Sequence, residues 1–439
     1  MTAPSTPYRL PTTARVPDKL VEDIRRDCER FADDGLPSDL DAYLLDRYEI
    51  DVSARYAGFD IPNPWGKASG QLSMTARQVE EDVEAGLGFI VLKTVIAEDD
   101  AGRQTMSDWA IRESRMMAEA IVGRSGEEGW TVSWKGRGWW QSFDDYLKLI
   151  RDAREIADGT GTLIVPSCKY HLPTPKEDSW KVEEYTYTTG KLNDAWQRGS
   201  AQRGGGNAEQ EKLSLFPAPH SPLPMPLEKD FSPTLAGSGR AAQQAKILEW
   251  LRTVPKLIRS DNDSVCVGLK LFNALFDDEF QLEMLRTIHQ LGLGRPDFYI
   301  YGNRLFDPNR EFDGHRGIAY GGPDLSDRNL RVMSAFGREL DGSAENGLNW
   351  SATGNINSGK IALEYALRGA TSFQLHTFFQ LPADQYQSHS GSKTAKALHE
   401  LYFHPETGFV VWLHHLAAEY DVARGPIRFL DVVSAACRR

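Results

Sequence analysis

The chain has 439 residues, 41% hydrophobic and 26% charged, enough to bury one large core with room for insertions. Its formal net charge of −12 argues against a nucleic-acid polyanion as the main partner, though a local basic pocket is compatible with it. Four dispersed cysteines, Cys28, Cys168, Cys266 and Cys437, form no CxxC pair, which excludes a zinc ribbon or iron–sulfur motif within this chain and leaves no metal expected.

Residues 1–55 read as an N-terminal helical extension, with a helix over Pro17–Ala32 whose thin apolar stripe is Leu20, Ile24 and Phe31. The first residues lack the apolar core of a secretory signal and no run reaches membrane-span length, so a cytoplasmic protein is expected. From Asn63 strands and helices alternate. Asn63–Gly70 (NPWGKASG) is a strand end; Thr75 and Gln78 match a capping box, Met74 and Val79 a hydrophobic staple, and Gly86 closes the helix. Phe89–Val95 is a buried strand, followed by strand candidates Trp130–Trp134, Thr162–Ser167, Val265–Phe272 and Asp297–Tyr301, with helices such as Phe143–Ala157 and Glu279–Gln290 between them. The apolar run Leu348–Thr353 stops at Gly354-Asn355. Ser358 then caps a helix bearing Ile361, Ala362, Tyr365 and Ala366 on one face, Gly369 ends it, and strand Thr371–His376 runs into Thr377. Small residues at these two strand ends let backbone N–H groups approach a phosphate.

Eight strands alternating with helices is the arithmetic of an α/β fold, a (β/α)8 TIM barrel over residues 56–380, with its chemistry on the loops after the strands. Segment 169–244 is far longer than a usual strand–helix loop and reads as a lid-like insertion after strand 4. It contains a possible hairpin at Val182–Thr188, a Gly-rich tract (Gly199–Gln210) and a Pro-rich tract (Phe216–Pro226). Residues 381–439 form a C-terminal helical extension, with helices around Ala395–Tyr402 and Val410–Tyr420 packing externally.

Taken in order, these strand ends resemble the dihydroorotate dehydrogenase family and the related flavin domain of dihydropyrimidine dehydrogenase. The resemblance runs from Asn63 to about Phe379 and implies an FMN-binding oxidoreductase. It places Ala68, Ser69 and Gly70 under the isoalloxazine ring, and Lys93 with Thr94 near its pyrimidine side and the substrate. Lys270 (in VCVGLKL) is similar to the fifth-strand flavin lysine, and Asn303 stands at the sixth-strand asparagine. Gly321-Gly322, Gly354-Asn355 and His376-Thr377 are similar to the family's phosphate-binding pairs, although Asn355 and His376 replace smaller residues. Two lysines ending otherwise apolar strands need a negative partner, and an ammonium there stabilises the anion formed when flavin takes up a hydride.

In the family the substrate exchanges a proton with a side chain on the loop after strand four. Aligned by strand end, Cys168 stands at that position, with Lys169 or His171 beside it to lower its pKa. A buried, unreactive cysteine is the other reading, and Tyr170 and His171 are alternative proton carriers. The polar residues that bind a pyrimidine are replaced here, by Val165 and Tyr170 on one loop and by Ser133–Trp140 on another; Asn303 alone is retained. Ser133, Trp134, Lys135 and Arg137, with Trp139 and Trp140, suggest a larger aromatic or carboxylated substrate, unless the tryptophans are barrel-rim packing. The expected activity is therefore dehydrogenation or reduction of a C–C or C–N bond in a small cyclic or aromatic molecule, with an open choice of electron acceptor or donor. A redox-silent lyase or isomerase holding a phosphorylated substrate, with Lys93 as Schiff-base lysine, is the rival, and a scaffold without catalysis the third reading. The oligomeric state is not readable from the sequence, a homodimer being the commonest outcome for such enzymes.

Overall fold

The structure is a computed structural model that describes residues 7–110, 112, 115–135, 138–201, 224–231, 240–259, 264–273, 276–312, 314–340, 349–422 and 425–438. Arg137, Leu348 and most of the Gly-rich and Pro-rich tracts lie outside them.

Eight parallel strands close a ring: β1 (Trp65–Lys67), β2 (Phe89–Val91 continuing as Val95–Ile96), β3 (Leu163–Val165 continuing as Ser167–Lys169), β4 (Met225–Asp230), β5 (Val265–Phe272), β6 (Phe298–Asn303), β7 (Trp350–Thr353) and β8 (Ala370–Leu375). Each pairs with the next, and β8 returns to β1 through Phe373 opposite Trp65. Their near-continuous burial is what a parallel sheet covered on both faces requires. The fold is thus the (β/α)8 barrel that the alternation predicts.

Two of its strands differ from the sequence reading. Trp130–Trp134 belongs to an antiparallel hairpin, Arg115–Val122 with Glu128–Lys135, inserted after β2 outside the ring. The third barrel strand is Leu163–Lys169 itself, and the fourth is Met225–Asp230, inside the segment expected to be a lid after strand 4. Met225–Asp230 (MPLEKD) carries one proline and three charges, so it reads as loop; tertiary pairing buries it nonetheless. Val182–Thr188 is no hairpin strand but the start of helix Val182–Ala201, the crossover between β3 and β4.

The capping box at Thr75 and Gln78, the Ser358 cap and the left-handed Gly369 all form as the sequence predicts. In the C-terminal segment, helices Lys393–Phe403 and Phe409–Tyr420 complete the outer layer, touching helices Ala76–Glu84 and Gly359–Ala366 on either side of the ring's closure. Phe409, Val410, Trp412 and Leu413 are fully buried there, so these helices are core rather than external packing.

The barrel's lower interior is an aromatic plug. A Cβ on Gly66 or Gly268 would run into the Phe89 or Phe298 ring, so glycine at these positions makes room for both. Tyr56, from the short hairpin before β1, stacks on Phe89 with centroids 4.3 Å apart and leans on Phe298. Above the plug lies a polar layer, Glu228, Lys270 and Gln374, and above that the barrel opens.

Candidate active site

A cavity of about 460 Å³ occupies the carboxyl-end mouth of the barrel, within the range of small-molecule sites. Every strand end contributes: Ala68 and Ser69 after β1, Lys93 and Thr94 within β2's interruption, Lys169 from β3, Asp230 from β4, Lys270 and Asn273 at β5, Asn303 and Arg304 at β6, Gly354 and Asn355 after β7, Gln374, His376 and Thr377 at β8. Trp130 and Val132 of the inserted hairpin help to roof it, together with Leu305, Phe306 and Ile318 of a second hairpin, Leu305–Phe312 with His315–Tyr320. The two roof elements are tied by an Arg310–Glu119 ion pair of 3.1 Å and by the Gly321 N–H, which donates to Thr131 Oγ1 at 2.9 Å.

Of the residues that the resemblance assigns to a flavin, all but Gly70 line this one cavity: Ala68, Ser69, Lys93, Thr94, Lys270, Asn303, Gly321, Gly322, Gly354, Asn355, His376 and Thr377. Gly70 lies beneath the imidazole of His376, where a Cβ would strike the ring. Burial, and then the positive charges of Arg304, Lys93, Lys67 and Lys270, push the His376 pKa far below the usual imidazole range, so the ring is neutral at pH 7.

The proton and substrate assignments change more. Side chains along a strand alternate between its two faces, and on β3 Ser167 and Lys169 point into the barrel while Cys168 points outward. Cys168 is fully buried; desolvation raises its thiol pKa far more than Lys229 and a bond to Tyr170 lower it, which favours the protonated thiol. Tyr170, also turned outward, stacks on Tyr185 at 4.5 Å and hydrogen-bonds Thr189. His171 is buried beside Glu177, away from the cavity. Ser133 is buried against Glu119 and does not reach the cavity; Trp134 and Lys135 share its strand. Trp139 packs on Tyr146 while Trp140 is exposed, and among the described residues of that tryptophan loop only Gly138 lines the site. Asn303 does line it.

Sequence reasoning missed Lys169, Asp230, Asn273, Arg304 and Trp109. Lys169 and Asp230 form an ion pair of 3.4 Å at the cavity wall, with the Trp109 ring 3.8 Å from the Lys169 ammonium. Placing Lys169 required only the correct strand parity, since a one-residue slip exchanges the faces. Ser69 Oγ, Thr94 Oγ1 and Ser167 Oγ form a hydroxyl chain of 2.7 and 3.0 Å leading inward from the cavity.

Lys229, the outward neighbour of Asp230, is wholly buried against the carbonyls of Tyr170 and Asp230, and burial brings its pKa down to about 7. Because the folded-state value lies below 10.5, the cost of holding this group is full below about pH 7 and fades as the pH climbs toward 10.5. Lys229→Met should therefore stabilise the protein at pH 6 by on the order of 2 kcal/mol, with a smaller gain at pH 9, in urea titrations at the two pH values.

Among the described residues the cavity thus gathers Lys93, Lys169, Lys270 and Arg304 with one carboxylate, Asp230, in a chain whose overall charge is −12. Cationic side chains therefore outnumber carboxylates among the described lining residues. A flavin mononucleotide fits the residues present: a Cβ on Gly321 would meet no atom nearer than 4.0 Å, leaving a backbone cradle beside the helix that starts at Pro323, and Asn273 Oδ1 is a buried acceptor with no bond inside the described protein. Among the described residues, no group of three or more His, Cys, Asp or Glu is placed to hold a metal ion, and no helix is long and apolar enough to cross a membrane.

Fold and site together define a closed parallel α/β barrel with a cation-rich cavity at its carboxyl-end mouth. Among solved structures it is similar to DHODH from Eimeria tenella, crystallised in complex with ferulenol, with a TM-score of 0.53 over 98% of each chain at 12% sequence identity. No family model matches the chain, and no curated protein matches it in sequence. The likeness is one of fold.

Proposed function

We propose that the chain is an FMN-dependent oxidoreductase, a dehydrogenase or reductase of a C–C or C–N bond in a small cyclic or aromatic molecule. The observation that carries this reading is the convergence on one cavity of residues from six strand ends, chosen from sequence for their likeness to a flavin site. Bound flavin supplies hydride exchange at its N5. Ala68 and Ser69 support the ring, and Gly321, Gly322, Gly354, Asn355 and Thr377 hold the phosphate. Lys93 and Lys270 stabilise negative charge that develops beside them. The hairpin roof excludes water. Asn303, Trp109 and Arg304 hold the substrate, and the Lys169–Asp230 pair holds or moves the proton, the role first assigned to Cys168.

The first test is a visible spectrum of the purified protein with identification of heat-released cofactor. Flavin absorption, or stoichiometric uptake of added FMN, is expected; a colourless protein that takes up none would end the reading. Once a substrate is found by anaerobic titration, Lys169→Met should lower kcat by about 10²-fold or more, while Cys168→Ser should leave it within a few-fold of wild type. A large loss for Cys168→Ser with the flavin still bound would return the proton to the thiol.

A further inference from the structure

Glu228 is fully buried on the inner face of β4, and unlike its partner Lys270 it does not reach the cavity. Its Oε1 lies 3.1 Å from Lys270 Nζ, while Oε2 accepts from Gln374 Nε2 at 2.7 Å and from the Tyr56 hydroxyl at 3.4 Å. Gln374 Oε1 in turn accepts from Lys270 Nζ at 3.3 Å. The carboxylate therefore sits behind an ammonium that lines the cavity, with both of its oxygens engaged. An ion pair this deeply buried is weakly screened, and half of it lines the cavity.

We propose that Glu228 is a positioning residue that fixes Lys270 and offsets its charge, and so keeps the reduction potential of bound flavin low. This rests on the flavin reading above. Reduction adds negative charge to the ring, so an uncompensated Lys270 favours the reduced form, and the carboxylate behind it removes most of that preference. Glu228→Gln keeps shape and hydrogen-bonding reach while deleting the charge; Lys270→Gln deletes the other half.

The experiment measures two-electron midpoint potentials of FMN-loaded wild type, Glu228→Gln, Lys270→Gln and the double variant, with FMN affinity by fluorescence. Glu228→Gln should bind reduced over oxidised flavin at least tenfold better than wild type does, a rise of about 30 mV for a two-electron couple. Lys270→Gln should shift the potential the opposite way, and the double variant should return close to wild type. An unchanged potential in folded, flavin-loaded Glu228→Gln overturns the proposal. If that variant does not fold, the remaining pair decides it: a double variant that matches Lys270→Gln alone overturns the proposal, because no offset charge was present. A wild type that binds no FMN sinks the oxidoreductase reading and this proposal together, whereas a flavin-loaded wild type with non-responding variants sinks only the latter.

Discussion

If the chain binds FMN as proposed, Gly321→Leu is expected to abolish that binding while leaving the barrel folded. Gly321 is not held at positive φ, and an added Cβ would meet only Leu325 and Thr131 at 4.0 Å, so the backbone accepts a side chain without strain. The leucine then projects into the cavity next to Gly322 and the start of helix Pro323–Glu339, where the phosphate is proposed to rest. FMN affinity should fall by about two orders of magnitude, ~3 kcal/mol, read as loss of flavin absorption per protein with an unchanged thermal transition. Gly354→Ala is the contrasting control. Gly354 sits at φ 106°, and a Cβ there would come within 2.9 Å of Leu325 and Asn329, so that variant should lose stability as well as ligand. Retention of stoichiometric flavin by Gly321→Leu would remove this loop from the phosphate site.

The largest effect on stability is expected at Lys67, which locks the two ends of the barrel together. Its ammonium lies 2.8 Å from Asp82 Oδ1 with both side chains 3% exposed. Lys67 also donates to Thr394 Oγ1 at 2.9 Å, Thr394 donates to Asp82 at 2.7 Å, and the Phe379 ring is 4.1 Å away. One cluster thus joins β1, helix Ala76–Glu84 and helix Lys393–Phe403. Lys67→Met strands the Asp82 charge and should cost about 3–5 kcal/mol in urea denaturation; adding Asp82→Leu should recover most of that loss. The pH dependence has a definite sign. Desolvation already raises the Asp82 pKa against the pull of Lys67, and without Lys67 it rises further. The deficit of Lys67→Met is therefore full above that raised value and shrinks as the pH falls through it, because the folded form binds the proton more tightly than the unfolded chain. A deficit that grew on acidification would contradict the cluster as drawn.

Much of the cavity lining was legible because its parts are local. Lys93, Lys270 and Asn303 end apolar runs, and Gly321-Gly322 and Gly354-Asn355 punctuate strand ends; both patterns are written in a few consecutive residues. The capped helices at Thr75 and Ser358 were legible for the same reason. Met225–Asp230 was not, because the partners that bury Glu228 are Lys270 and Gln374, 42 and 146 residues away in sequence. The facing of Cys168 was misread by a single residue of strand parity, which no composition reveals and which the pairing of Cys168 with Val95 and Lys229 decides.

The sequence by itself determined the alternation of strands and helices, hence the barrel, and the small and cationic residues at the strand ends that line its mouth. Only the tertiary structure decided which strand is fourth, that the tryptophan segment is a hairpin roof, and that Lys169 with Asp230, not Cys168, faces the cavity. The physical reason is that propensity and punctuation act between neighbours along the chain, whereas face, register and charge compensation are properties of strands that meet only after the ring has closed.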